Sequence, residues 1–208
     1  HNDPSSVVLT ERRGAALWIT ISRIERRNAI NPQVLGGIER AVQAARTMAG
    51  IRVLVLTGAG SKAFCAGADL TAGTGVFTDG FSEPTTDFGR LARTVREACI
   101  PMIARINGDC VAGGMGLMAL CDLAVVAEHA RFGLPEAKVG VFPMQVLVYL
   151  RRMMHPRHVN ELCLTGELIN AGKAQALGIA NIVVPADQLD ASVEQLVARI
   201  GAMSPVAL

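Results

Sequence analysis

Five short apolar runs, residues 16–21, 53–57, 101–106, 123–127 and 182–184, recur along the chain with helix-patterned or glycine-rich segments between them. Runs this short and this uniformly apolar read as strands covered on both faces. Strands separated by helices pair by crossover, so the pattern implies an α/β fold. Residues 32–48 place Val34, Leu35, Ile38, Val42, Ala45 and Met48 at helical spacing, with Asn31 as cap and Pro32 in the first turn. Residues 88–99 repeat the pattern with Leu91, Val95 and Cys99 on one face. Helices are also expected over 145–153, 158–164, 171–177 and 189–203, and residues 111–120 form a small, apolar segment with three glycines. The polar stretch 71–86, rich in Gly and Thr, has no period and reads as a mobile loop. No linker or identical repeat divides the chain, so residues 1–208 are expected to form one domain.

Composition narrows the function classes. Half of the 208 residues are hydrophobic and the mean hydropathy is +0.35, which supports a large core and excludes disorder. No run approaches the roughly 20 apolar residues that span a bilayer, so the apolarity is expected inside the fold or between subunits. The 20 basic and 18 acidic residues leave a net charge of +2, with one Trp and one Tyr. That is no nucleic-acid footprint. The densest basic cluster, Arg151, Arg152, Arg157 and His158, reads as a solvated helix surface. Cys65, Cys99, Cys110, Cys121 and Cys163 contain no CxxC pair and read as reduced core thiols of a cytoplasmic protein. His155 and His158 could pair on a helix face, but Pro156 is expected to interrupt that turn. No metal site is expected. The first residues, His1-Asn2-Asp3-Pro4, show no signal-peptide pattern.

Two glycine-rich turns could carry chemistry. One is Ala63-Phe64-Cys65-Ala66-Gly67-Ala68-Asp69-Leu70; the other runs from Asn107 to Gly116 through Ala112-Gly113-Gly114. Small residues admit a ligand close to the backbone, and a helix start at Gly113 supplies free amides. Two amides aimed at one oxygen form an oxyanion hole, commonly worth about 3 kcal/mol in a transition state. Taken singly, each turn reads first as a tight turn for close helix packing. Neither matches a dinucleotide or phosphate loop. Glu136, between Leu134 and Val139, could be a partly desolvated proton carrier, although Lys138 beside it fits an exposed loop carboxylate. Cys65 has no histidine placed near it by motif and reads as a packed thiol.

The chain resembles the crotonase superfamily, that of enoyl-CoA hydratase and enoyl-CoA isomerase. The resemblance runs in order through Arg26-Arg27-Asn28-Ala29-Ile30, Val55-Leu56-Thr57-Gly58, Lys62 to Leu70, Pro101 to Gly108, Ala112-Gly113-Gly114 and Cys121-Asp122. It continues with Phe132-Gly133-Leu134-Pro135-Glu136, Val139-Gly140, Leu164-Thr165-Gly166-Glu167, Ala176-Leu177-Gly178 and Val183-Val184-Pro185. It implies a spiral of ββα units that binds an acyl-CoA substrate and stabilises a thioester enolate, with no other cofactor. By the same resemblance the amides of Ala68 and Gly113 hold the oxyanion, and Glu136 carries the proton. Ala66, Ala68, Asp69 and Leu70 contact coenzyme A, with Arg26 near its nucleotide end. A homotrimer or dimer of trimers is implied, in fatty-acid or related acyl-CoA metabolism.

Three departures qualify the resemblance. Typical hydratases of the family carry a first glutamate where this chain has Gly116; isomerases with a single glutamate share the present pattern, as do some hydratases of branched or carboxylated acyl-CoAs. Met144-Gln145-Val146-Leu147 replaces a glycine-rich turn near the expected acyl end and should alter substrate choice. The family also continues for several helical turns past the segment that resembles residues 203–208, so its covering and trimer-building helices are expected to be missing or shortened. Hydratase, pure double-bond isomerase and non-catalytic acyl-CoA-binding homologue therefore all stay open.

Overall fold

The computed structural model describes residues 6–69 and 86–204. Strands β1 (Val8–Arg13) and β2 (Ala16–Ile21) form an antiparallel hairpin, followed by a 3-10 turn at Ile24–Arg26 and helix α1 (Pro32–Ala45). Next come β3 (Val53–Gly58), β4 (Ala63–Cys65), α2 (Asp87–Ala98), β5 (Met102–Ile106), β6 (Asp109–Val111) and α3 (Gly113–Ala119). Then follow β7 (Leu123–Ala127), β8 (Arg131–Gly133), a 3-10 turn at Pro135–Val139, α4 (Met144–Leu150) and α5 (Pro156–Thr165). Strand β9 (Ile169–Asn170), α6 (Ala171–Ala176), β10 (Ile182–Val184) and α7 (Leu189–Gly201) complete the order.

The strands form a six-stranded sheet, β1-β2-β3-β5-β7-β10, and a four-stranded sheet, β4-β6-β8-β9. Each of the pairs β3/β4, β5/β6 and β7/β8 gives its first strand to the large sheet and its second to the small one. Helices α2 and α3 follow the first two pairs, so the chain winds as repeated ββα units. Alternation along β3 explains its uniform apolarity. Leu54 and Leu56 face the main core with Phe64, Met102 and Phe132. Val53 and Val55 face the opposite side, where Leu189, Val193 and Val197 of α7 cover them together with Trp18.

Several expectations are corrected. Helix α1 ends at Ala45 because Arg46, Thr47 and Met48 donate to carbonyls three residues back, and this tightened turn carries Met48 to the surface. Cys99 leaves the buried face of α2: it adopts the left-handed conformation (φ 51°) that ends the helix and is exposed, while the other four cysteines are buried. The apolar segment 111–120 is split, with Val111 ending β6 and the helix starting at Gly113. Pro156 opens α5 rather than interrupting it, because proline fits a first helical turn. His155 caps that helix and its ring meets His158 edge-on at 5.9 Å. The loop expected over 71–86 lies outside the described residues except for Thr86, whose hydroxyl accepts the Gly89 N–H as the cap of α2. Among the described residues no helix is long and apolar enough to cross a membrane.

Candidate active site

Strands β4, β6 and β8 lie side by side and parallel, pairing Cys65 with Cys110 and Val111 with Gly133. Their carboxyl ends therefore open on the same edge. The segments leaving that edge are Ala66-Gly67-Ala68, Ala112-Gly113 and Leu134-Pro135-Glu136. Parallel register brings together three pieces of chain that lie far apart in sequence.

The first segment is held by an isolated parallel bridge between Ile30 and Ala68. Ile30 donates to Gly67 at 2.7 Å and Asp69 donates to the Ile30 carbonyl at 2.8 Å. In a parallel bridge the residue between those two bonds turns its own amide away. The Ala68 N–H therefore points to the other side. Gly113 is the first residue of α3, so its N–H has no intrahelical acceptor. The two backbones nearly touch: a Cβ built on Gly113 would stand 3.8 Å from the Ala68 nitrogen, and one on Gly67 would stand 3.6 Å from the Gly113 nitrogen. Gly67 has φ +95° and its added Cβ would meet the Ala112 Cβ at 2.8 Å. Two outward amides side by side can hold an oxygen on which negative charge develops.

Ala112 adopts φ 51° and ψ −124°, outside the basins open to a residue with a side chain. Such strain costs on the order of 1–3 kcal/mol and persists only where the surroundings impose it. Here the Ala112 N–H donates to the Gly133 carbonyl at 2.9 Å.

Glu136 is 7% exposed, which decides against the surface carboxylate that its neighbour Lys138 suggests. Its Oε2 is buried without a hydrogen-bond partner among the described residues. Burial pushes the carboxyl up to about 7, and the nearby Cys163 thiol of α5 is pushed up to about 11 by its own burial and by Glu136. A carboxyl that titrates near neutrality exchanges protons efficiently. Cys65 is buried with its thiol pushed up to about 12, so it packs and offers no nucleophile.

Among the remaining expected site residues, Ala66 donates to the Arg27 carbonyl at 3.0 Å and sits at the same strand edge. Arg26 is exposed on the 3-10 turn. Asp69 is held by Arg23, whose Nη2 lies 2.8 Å from its Oδ2, with both side chains 13% exposed. Arg23 also donates to the Ala29 carbonyl at 2.7 Å, so one guanidinium ties residues 23–30 to the Ala68 turn. Sequence reading missed Arg23; only its position just before the Arg26-Arg27-Asn28 motif could have drawn attention to it. Gly116 is buried, and a Cβ there would meet Phe88 Cζ and Val146 Cγ2 at 3.0 Å each. Leu70 lies outside the described residues.

The sequence profile of the enoyl-CoA hydratase/isomerase family matches residues 11–208. The chain is 34% identical over 201 residues to carnitinyl-CoA dehydratase of Proteus mirabilis, covering 94% of this chain and 75% of that protein. It is 31% identical over 199 residues to crotonyl-CoA hydratase of Syntrophomonas wolfei, covering 93% and 75%. A crystal structure of an enoyl-CoA hydratase/carnithine racemase from Magnetospirillum magneticum superposes with a TM-score of 0.88 at 34% identity, over 97% of this chain and 76% of that one.

Proposed function

The chain belongs to the enoyl-CoA hydratase/isomerase family, and from that premise we propose that it adds water to, or shifts, the double bond of an acyl-CoA thioester through an enolate. The Ala68 and Gly113 amides take the thioester oxygen, and Glu136 carries the proton. In hydration, Glu136 accepts a proton from water as the water oxygen bonds the β carbon. The π electrons then move onto the thioester oxygen, and Glu136 returns that proton to the α carbon as the carbonyl reforms. In isomerisation, Glu136 removes the α proton and returns it to the γ carbon as the double bond migrates. Ala66, Asp69 and Leu70 lie along the coenzyme A arm, with Arg26 toward its nucleotide end.

The observation that carries this reading is Glu136, a buried carboxyl with one oxygen unpartnered among the described residues, on the strand end beside the paired amides. A 2-enoyl-CoA and a 3-enoyl-CoA, each incubated in heavy-oxygen water, test it. Label at the β carbon identifies a hydratase, migration without label an isomerase, and neither product refutes the reading. The second outcome has its own support: Phe88 and Val146 stand against Gly116, where a second carboxylate would otherwise help to hold water. The proposal extends to a cytoplasmic homotrimer or dimer of trimers, supported by the exposed apolar residues Val139, Phe142, Met144 and Val148.

A further inference from the structure

Gly113 and Gly116 lie three residues apart on α3 and so share one helix face, about 5 Å from each other. The surroundings of that face are closed at both ends. At Gly113 an added Cβ would meet Ile30 Cδ1 at 2.9 Å. At Gly116 the space is taken by Phe88 from α2 and Val146 from α4, each 3.0 Å from where a Cβ would stand. Both are buried, and the Phe88 ring is held edge-on by Tyr149, with centroids 5.8 Å apart and planes at 69°. Gly116 is small because Phe88 is large. The ring has no room to advance toward the helix and is in edge-on contact with Tyr149.

A thioester whose oxygen sits on the Gly113 amide has its α and β carbons two and three bonds from that oxygen. The next carbons of its acyl chain reach about one helical turn along α3, which is where the Phe88 edge stands. We propose that Phe88, backed by Val146 and Tyr149, sets the acyl-chain length that this site accepts and restricts it to short acyl-CoA thioesters. The inference rests on the acyl-CoA reading of the site and adds to it the substrate class and the residue that selects it. Phe88 acts by occupying space and takes no part in proton transfer.

Calorimetric titration with butyryl-, hexanoyl- and octanoyl-CoA, which are saturated and do not react, separates the two levels. In an open apolar channel affinity rises about fourfold per added methylene. In the wild-type protein it stays flat or falls from butyryl to octanoyl, because forcing methylenes into a filled space is unfavourable. Phe88→Ala tightens octanoyl-CoA by about tenfold or more and leaves butyryl-CoA within about threefold. Phe88→Leu, which keeps apolar bulk in α2, gives an intermediate ratio and guards against loss of folding in the alanine variant. A wild-type affinity that already climbs about fourfold per methylene would overturn the inference and leave the acyl-CoA reading standing. So would an octanoyl-to-butyryl ratio that neither variant changes. Failure to bind any of the three thioesters would overturn both.

Discussion

Ala112 donates its backbone N–H to the carbonyl oxygen of Gly133 at 2.9 Å, and this bond joins the turn presenting Gly113 to the strand presenting Glu136. The proposed oxyanion donor and proton carrier are thus spaced by main-chain pairing between β6 and β8, which no side-chain motion can relax. Sites held on such elements keep their geometry more tightly than sites built on free loops.

Turnover should depend on Glu136 and binding should not. Glu136→Gln keeps the shape of the carboxyl and removes its proton affinity, so kcat should fall about 10²–10⁴-fold. Binding of butyryl-CoA should stay within a few-fold of wild type. Proton removal needs the ionised form, and the carboxyl titrates at about 7. Wild-type kcat should therefore climb about tenfold per pH unit below that point and level off above it. Unchanged kcat in the variant would remove Glu136 from the reaction.

The strain at Ala112 should be visible in stability. Replacing alanine by glycine ordinarily costs about 0.4–1 kcal/mol through the unfolded chain. At φ 51° and ψ −124° the folded state gains from the same change. Ala112→Gly should therefore be neutral or stabilising by about 1 kcal/mol in urea unfolding, with activity retained. A clear loss would mean that the methyl group, packed against Gly67, contributes more than the backbone strain costs.

Arg23 should behave as a positioning residue for the Ala68 turn. Its guanidinium reaches Asp69 and the Ala29 carbonyl at once. Arg23→Met should cost about 1–3 kcal/mol of stability and weaken butyryl-CoA binding. Arg23→Lys should recover only part of both, because an ammonium cannot reproduce the forked pair. Equal thioester affinity in all three proteins would confine the residue to stability alone.

What the sequence could reveal follows from the range of each interaction. Strands β3, β5 and β7 are legible because burial on both faces makes nearly every residue apolar. Strands β4, β6, β8 and β9 are two or three residues long and lie among glycines, too short for any period to register. Yet three of these carry the candidate site. The glycine turns and Glu136 were legible as separate motifs, and their juxtaposition depends on pairing across 22 to 45 residues, from Cys65 to Cys110 and from Cys110 to Phe132. Glu136 itself misleads locally. Lys138 and the exposed Val139 suggest a surface loop, whereas the carboxyl is buried near Cys163 of α5. The Arg23–Asp69 pair spans 46 residues and had no local signal.

Burial of Glu136 should also tie stability to pH, with a sign that can be worked out. Its carboxyl titrates at 4.5 in an open chain and at about 7 in the folded protein. Between those values the folded state holds a proton that the unfolded state has released. Stability from this group is therefore fully present below about pH 4.5, declines as pH rises through the window, and is lost above about 7. The loss across the window is on the order of 3 kcal/mol, at roughly 1.4 kcal/mol per tenfold mismatch. Glu136→Gln carries no such proton. Its buried amide has a constant cost at every pH, so the informative quantity is how the difference from wild type changes. Denaturant unfolding at pH 5 and pH 8 should show the variant gaining on wild type by about 1–3 kcal/mol at the higher value. A difference that is the same at both pH values would show that the carboxyl is solvated and titrates as in an open chain.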